Sequence, residues 1–137
     1  GKQTFTGIDV RLGAGNALLL SVLKRNLLSK LFISTATKKF ESGHAALDRE
    51  FIFRSNMPEI AMAVVTTPDI RDALLSTQKQ HGFSATIEVK PPFLHYQEAG
   101  SMTGGKRVAR IQAVTLLMVQ LAAALDAAAS LVNSPRR

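Results

Sequence analysis

The stretch "SATIEVKPPFLHYQEA", residues 84–99, decides how this sequence folds. Polar and apolar residues alternate in "SATIEVK", with Ile87 and Val89 on one face, and "FLHYQEA" follows the break at Pro91 and Pro92 as a second strand. A period of two marks a strand with one covered face, and two such runs joined by a short turn pair as an antiparallel hairpin. The hairpin then runs into a long helical pattern. The expected fold class is therefore α+β: an antiparallel sheet of about 4–6 strands, short central helices, and a long C-terminal helix packed on one face.

That helix spans roughly 106–132. Ile111, Val114, Met118, Leu121, Leu125, Ala128 and Val132 recur at alternating spacings of three and four, a continuous apolar seam. Leu116, Leu117 and Val119 widen the apolar face beyond one seam, and no charge falls between Arg110 and Asp126. A membrane span needs about 20 apolar residues, and this run nearly supplies them. Burial against the sheet is the first reading, with the surplus face packing on a second subunit or a protein partner. Ile111, Val114, Met118, Leu121 and Leu125 are the candidate interface residues.

Upstream, "TFTGIDVRL" (4–12) ends as a strand, and "GAGN" (13–16) is a turn. Residues 17–32 admit two readings: a buried strand over 17–24 followed by a short helix over 26–32, or a single helix. "TATKKFES" (35–42) reads as an exposed edge strand, because lysines discourage pairing with other chains. "SGHAA" reads as a loop, and "DREFIFRSN" (48–56) as the clearest strand, with Phe51 and Phe53 facing one way and Glu50, Ile52 and Arg54 the other. Ser55 or Asn56 caps a helix over 58–65 that carries Ile60, Ala61, Val64 and Val65. Thr67 caps a second helix, with Pro68 and Asp69 in its first turn, Ile70, Leu74 and Leu75 as its buried stripe, and Gly82 as its stop. The organisation expected is one domain: strands and a short helix over 1–56, two helices over 57–82, the hairpin over 84–99, and the long helix.

Between hairpin and helix lies "GSMTGGK" (100–106), the spacing of a phosphate-binding loop. Such a loop supplies backbone N–H groups and a lysine to phosphate, and a hydroxyl to Mg²⁺. Here Arg107 stands where the hydroxyl belongs, and the preceding strand belongs to a hairpin. What survives is weak anion binding at a helix start by Gly104, Gly105, Lys106 and Arg107.

The 137 residues contain no cysteine, which excludes disulfide partners, zinc–thiolate centres and cysteine nucleophiles. The net charge of +7 is uneven: +6 over residues 1–40, −3 over 41–98 and +4 over 99–137. Basic ends favour nucleic acid or an anionic membrane surface, yet aromatics are 6% and no nucleic-acid-binding motif occurs. His44, His81 and His95 lack metal-ligand spacing, and no Ser/His/Asp signature is present. No catalytic residue, metal site or cofactor is assigned.

"GHAALDREFIFRSNMPE" and "TTPDIRDALL" resemble a pattern in uncharacterised prokaryotic domains that often accompany membrane-spanning segments. That pattern reads Gly-Asp-x-x-Phe-Asp-Arg-x-Phe, then a strand and two helix starts. His44 stands where it carries Asp, and Leu47 where it carries Phe. The resemblance covers roughly 35–130 and implies a small α+β domain near a membrane, with no catalytic residues to carry over. The expectation is a non-enzymatic interaction or assembly domain, cytoplasmic or membrane-associated through segments outside this chain. The alternatives are a basic module for anionic partners and a weak phosphate binder at 100–106.

Overall fold

A computed structural model describes residues 3–27 and 36–132. Six strands form one antiparallel sheet: β1 (Phe5–Arg11), β2 (Leu20–Lys24), β3 (Lys38–Phe40), β4 (Phe51–Ser55), β5 (Ile87–Lys90) and β6 (Phe93–Ala99), in the spatial order β1-β6-β5-β2-β4-β3. Four helices accompany them: α1 (Ala45–Glu50), α2 (Pro58–Thr66), α3 (Pro68–Gln80) and α4 (Gly105–Val132). This is the α+β class expected from the hairpin and the long helix.

Register aligns the sheet's two faces. Ile8, Tyr96, Ile87, Val22, Phe53 and Phe40 stand in one cross-strand row. They join Ala61, Val64, Val65, Ile70 and Leu74 of α2 and α3, and the inner side of α4, in one core. The row on the other face reads Asp9, His95, Glu88, Ser21, Arg54 and Lys39. An antiparallel sheet with helices on one side shows this division between apolar and polar faces.

β5 and β6 form the expected hairpin, with β5 confined to Ile87–Lys90. β3 is an edge strand, as its lysines predict. β2 settles the ambiguous stretch in favour of a strand starting at Leu20, because Asn56 fixes the chain just before it: its side chain accepts from the Leu19 N–H and donates to the Ala17 carbonyl, both at 2.8 Å. Most of the expected 26–32 helix lies outside the described residues.

Three local expectations are corrected. The strand expected over 48–56 is confined to Phe51–Ser55, and Ala45–Glu50, which takes in the end of the expected "SGHAA" loop and the first residues of that strand, is helix. Asp48 turns back to accept from Ser42 N–H and Oγ, each at 2.8 Å, and from Gly43 N–H at 3.1 Å, which folds the "SGHAALD" segment into a helical turn. Met57, not Ser55 or Asn56, holds the N-cap of α2, although the Ser55 hydroxyl accepts the Met57 N–H at 3.0 Å. Thr67 occupies the N-cap of α3 without capping it; its hydroxyl donates to the Ala63 carbonyl at 2.9 Å. Gly82 ends α3 as expected: it adopts φ +70°, a conformation glycine takes without steric cost, and its N–H donates to the Thr77 and Gln78 carbonyls.

Candidate functional site

The region singled out in the sequence is the junction of β6 and α4. β6 lies between β1 and β5, antiparallel to both. The loop is therefore not the strand–loop–helix of a parallel nucleotide-binding unit. Gly104 and Gly105 open α4 and, with Lys106, are exposed, but Arg107 is turned the other way. Its Nη1 donates to the Ser101 carbonyl at 2.7 Å, and its Nε lies 3.7 Å from Glu98 Oε2. The guanidinium lies over Gly100, where an added Cβ would sit 1.8 Å from Nη1. The four candidate anion ligands do not converge on one point.

Arg107 instead belongs to a buried ion cluster. Glu98 is 2% exposed and accepts from Arg110 Nε at 3.1 Å and Nη2 at 2.5 Å. The Tyr96 hydroxyl donates to Glu98 at 3.1 Å and accepts the Ser84 N–H at 3.3 Å. A buried carboxylate is tolerated when paired and fully hydrogen-bonded, as this one is. Burial, reinforced by the Glu98 charge, pushes the Tyr96 phenol up to about 12. The hydrogen bonds to Glu98 raise Arg110 further. The sequence does carry a sign of this cluster. Glu98 falls in phase with Leu94 and Tyr96, and Arg107 and Arg110 continue the phase of the seam.

The far half of α4 is tied down similarly. Asp126 accepts the Gly13 N–H through both carboxylate oxygens, at 3.0 and 3.1 Å, and the Asn16 side-chain amide at 2.8 Å. Three of the four charged residues described on α4 are thus bonded to the rest of the fold. The fourth, Lys106, lies in its exposed first turn.

The five candidate interface residues sit on the same inward side. Ile111, Val114, Met118, Leu121 and Leu125 are at most 7% exposed and belong to the domain's own core. Of the widening residues, Leu117 is buried too. The surface left to a partner is the opposite side of the helix, with Leu116 70%, Val119 53% and Leu131 80% exposed, together with Gln112, Gln120, Ala123 and Ala127. It carries no charge. A surface helix normally turns polar and charged groups outward over an apolar inner face; α4 keeps the apolar inner face but is largely apolar outward as well. α4 is long and apolar enough to cross a membrane, a property shared with core helices, and 39% of its most apolar stretch is buried in the fold.

Elsewhere, His95 Nδ1 meets Asp9 Oδ1 at 2.6 Å across β1 and β6. Among the described residues no three His, Asp or Glu side chains assemble into a metal site. A hollow of about 470 Å³ lies beside Lys38, Met57, Pro58, Glu59 and Ile60. A second, of about 260 Å³, lies between α1 and α3. Comparison with protein-family models, with curated proteins and with solved structures finds no match.

Proposed function

We propose that this chain is an interaction and assembly domain rather than an enzyme, and that the outward face of α4 is its binding surface. One observation carries the proposal: the charges of α4 beyond its first turn bond to the fold, while Leu116, Val119 and Leu131 face solvent. Exposed apolar side chains in a contiguous patch mark a surface that another body covers. Three of the basic residues are engaged within the fold: Arg107 and Arg110 bond Glu98 and the 100–104 loop, and Arg54 bonds Thr37.

The resemblance to membrane-associated prokaryotic domains sits well with this reading. The residues that carry it form a turn, a helix and a strand, and so serve as scaffold. We propose a cytoplasmic location for the domain. The lack of cysteine fits such a reducing compartment.

Site-specific photo-crosslinking in cells tests the proposal. A photoreactive residue at Val119 should form a protein adduct, whereas one at exposed Asp69 on α3 should not. No adduct from position 119 above the level of position 69 would remove α4 as a binding surface.

A further inference from the structure

We propose that the outer edge of β1 receives an extended, acidic segment of another protein as a further strand of the sheet. This site lies apart from the outward face of α4 and does not depend on the reading of that face.

Backbone direction defines the edge. The Thr4 carbonyl accepts the Gly100 N–H at 2.7 Å, and the Leu12 N–H donates to the Pro92 carbonyl at 2.8 Å, so both residues turn these groups towards β6. Backbone groups alternate in direction from one residue of a strand to the next. Thr6, Ile8 and Val10 therefore also point towards β6, and Phe5, Gly7, Asp9 and Arg11 point away from it. β1 is the end strand of the sheet, and among the described residues no strand pairs with its outer side. The N–H donors and carbonyl acceptors of those four residues stand in line there, along a strand in unbroken register with β6.

The two edges of the sheet differ. β3, at the far edge, is three residues long and carries exposed Lys38 and Lys39, features that discourage strand addition. β1 is seven residues long and has no lysine, proline or bulge. Ile8 and Val10, on its core side, are only partly buried. An added strand with apolar residues at alternate positions would complete their burial and satisfy the outer backbone groups together.

Charge selects the partner. Asp9, the only acid in residues 1–40, is held by His95 Nδ1 at 2.6 Å. Arg11 is exposed, lies over the Phe93 ring and has no acidic partner among the described residues. The chain carries +7 overall and +6 over residues 1–40. A second copy would bring like charge to this edge, whereas an acidic segment is drawn to it and seats a carboxylate on Arg11. The edge thus accepts aspartate or glutamate beside Arg11, and valine or isoleucine beside Ile8 and Val10.

Amide hydrogen exchange read by NMR tests the proposal. The probe is a synthetic peptide of alternating glutamate and valine. Its controls are the same peptide with every amide N-methylated, which cannot donate to a strand, and an alternating lysine–valine peptide. In the free protein the amides of Thr6, Ile8 and Val10 should exchange slowly, and those of Phe5, Gly7, Asp9 and Arg11 fast. At about ten times its dissociation constant, the glutamate–valine peptide should slow the fast set about tenfold. Neither control should do so. Gly7→Pro removes one outward N–H and leaves the bonds to β6 in place, as proline on an edge strand does. That variant should keep its melting temperature and lose the response. No slowing at millimolar peptide, or equal slowing by either control, would overturn the proposal. Slowing that appears without peptide as protein concentration rises would also overturn it, because a second copy would then be the occupant. The adduct at position 119 is unaffected by any of these results and judges α4 separately.

Discussion

Glu98 on β6 and Arg110 on α4 form a buried two-bond ion pair that joins the sheet to the first turns of the long helix. Arg107 and Tyr96 complete its surroundings. Truncating one partner of such a pair leaves the other charge buried and uncompensated, which costs about 3–5 kcal/mol. Arg110→Ala, which leaves the buried Glu98 carboxylate without its two-bond partner, should therefore destabilise the domain by an amount in that range in urea denaturation. The double variant Glu98→Leu/Arg110→Met, which removes both charges and fills the space, should recover most of the loss. A single variant as stable as wild type would show that the pair does not hold α4 in place.

Tyr96 gives the cluster a pH signature. Burial raises its folded pKa to about 12, whereas an unfolded tyrosine titrates at about 10. Between those values the folded state keeps a proton that the unfolded state has released. Its contribution is fully present below about pH 10 and is lost as pH rises towards 12. Melting temperature should fall across that window. Tyr96 is the sole tyrosine and there is no tryptophan, so phenolate absorbance reports this residue alone. Native protein whose phenol titrates at its ordinary value would contradict the burial.

Asp126 latches the second half of α4 to the turn after β1. Asp126→Ala removes three hydrogen bonds to Gly13 and Asn16 and should cost about 1–3 kcal/mol. Hydrogen exchange should then rise in the backbone amides of residues 13–16. Unchanged exchange there would show that the latch contributes nothing.

The contrast between what was legible and what was not follows from range. The hairpin could be read because Ile87 and Val89 share one strand face, and α3 because Pro68, Ile70, Leu74 and Gly82 mark its start, stripe and stop within a few residues. α1 does not show in the sequence because six residues are too few for a helical period, and because the turn is made by contacts of the Asp48 side chain that spacing alone does not reveal. The five candidate interface residues of α4 face the domain's own core for a physical reason. The regular seam of Ile111, Val114, Met118, Leu121 and Leu125 is what a core demands, and the less regular Leu116, Val119 and Leu131 are what it leaves outside. Glu98 and Arg110 each look like surface charges when taken singly. Only the topology, which carries the chain from β6 directly into α4, brings them together.

His44 offers a stabilising change. It occupies the N-cap of α1 without a side-chain capping bond, and its buried Nδ1 has no hydrogen-bond partner among the described residues. Aspartate, which the resembling pattern carries at this point, accepts from the first-turn N–H groups. His44→Asp should stabilise the domain by about 1 kcal/mol, read as a higher denaturant midpoint with an unchanged slope. A lower midpoint would show that the imidazole fills space the carboxylate cannot.

Binding through the outward face of α4 is tested most directly by photo-crosslinking from Val119 in the wild-type background beside Leu116→Lys. Both substituted positions are more than half exposed, so the variant should keep the wild-type melting temperature. Position 119 should form a protein adduct in the wild-type background and lose it with Leu116→Lys. No adduct in the wild-type background, or an adduct as strong with Leu116→Lys, would contradict it.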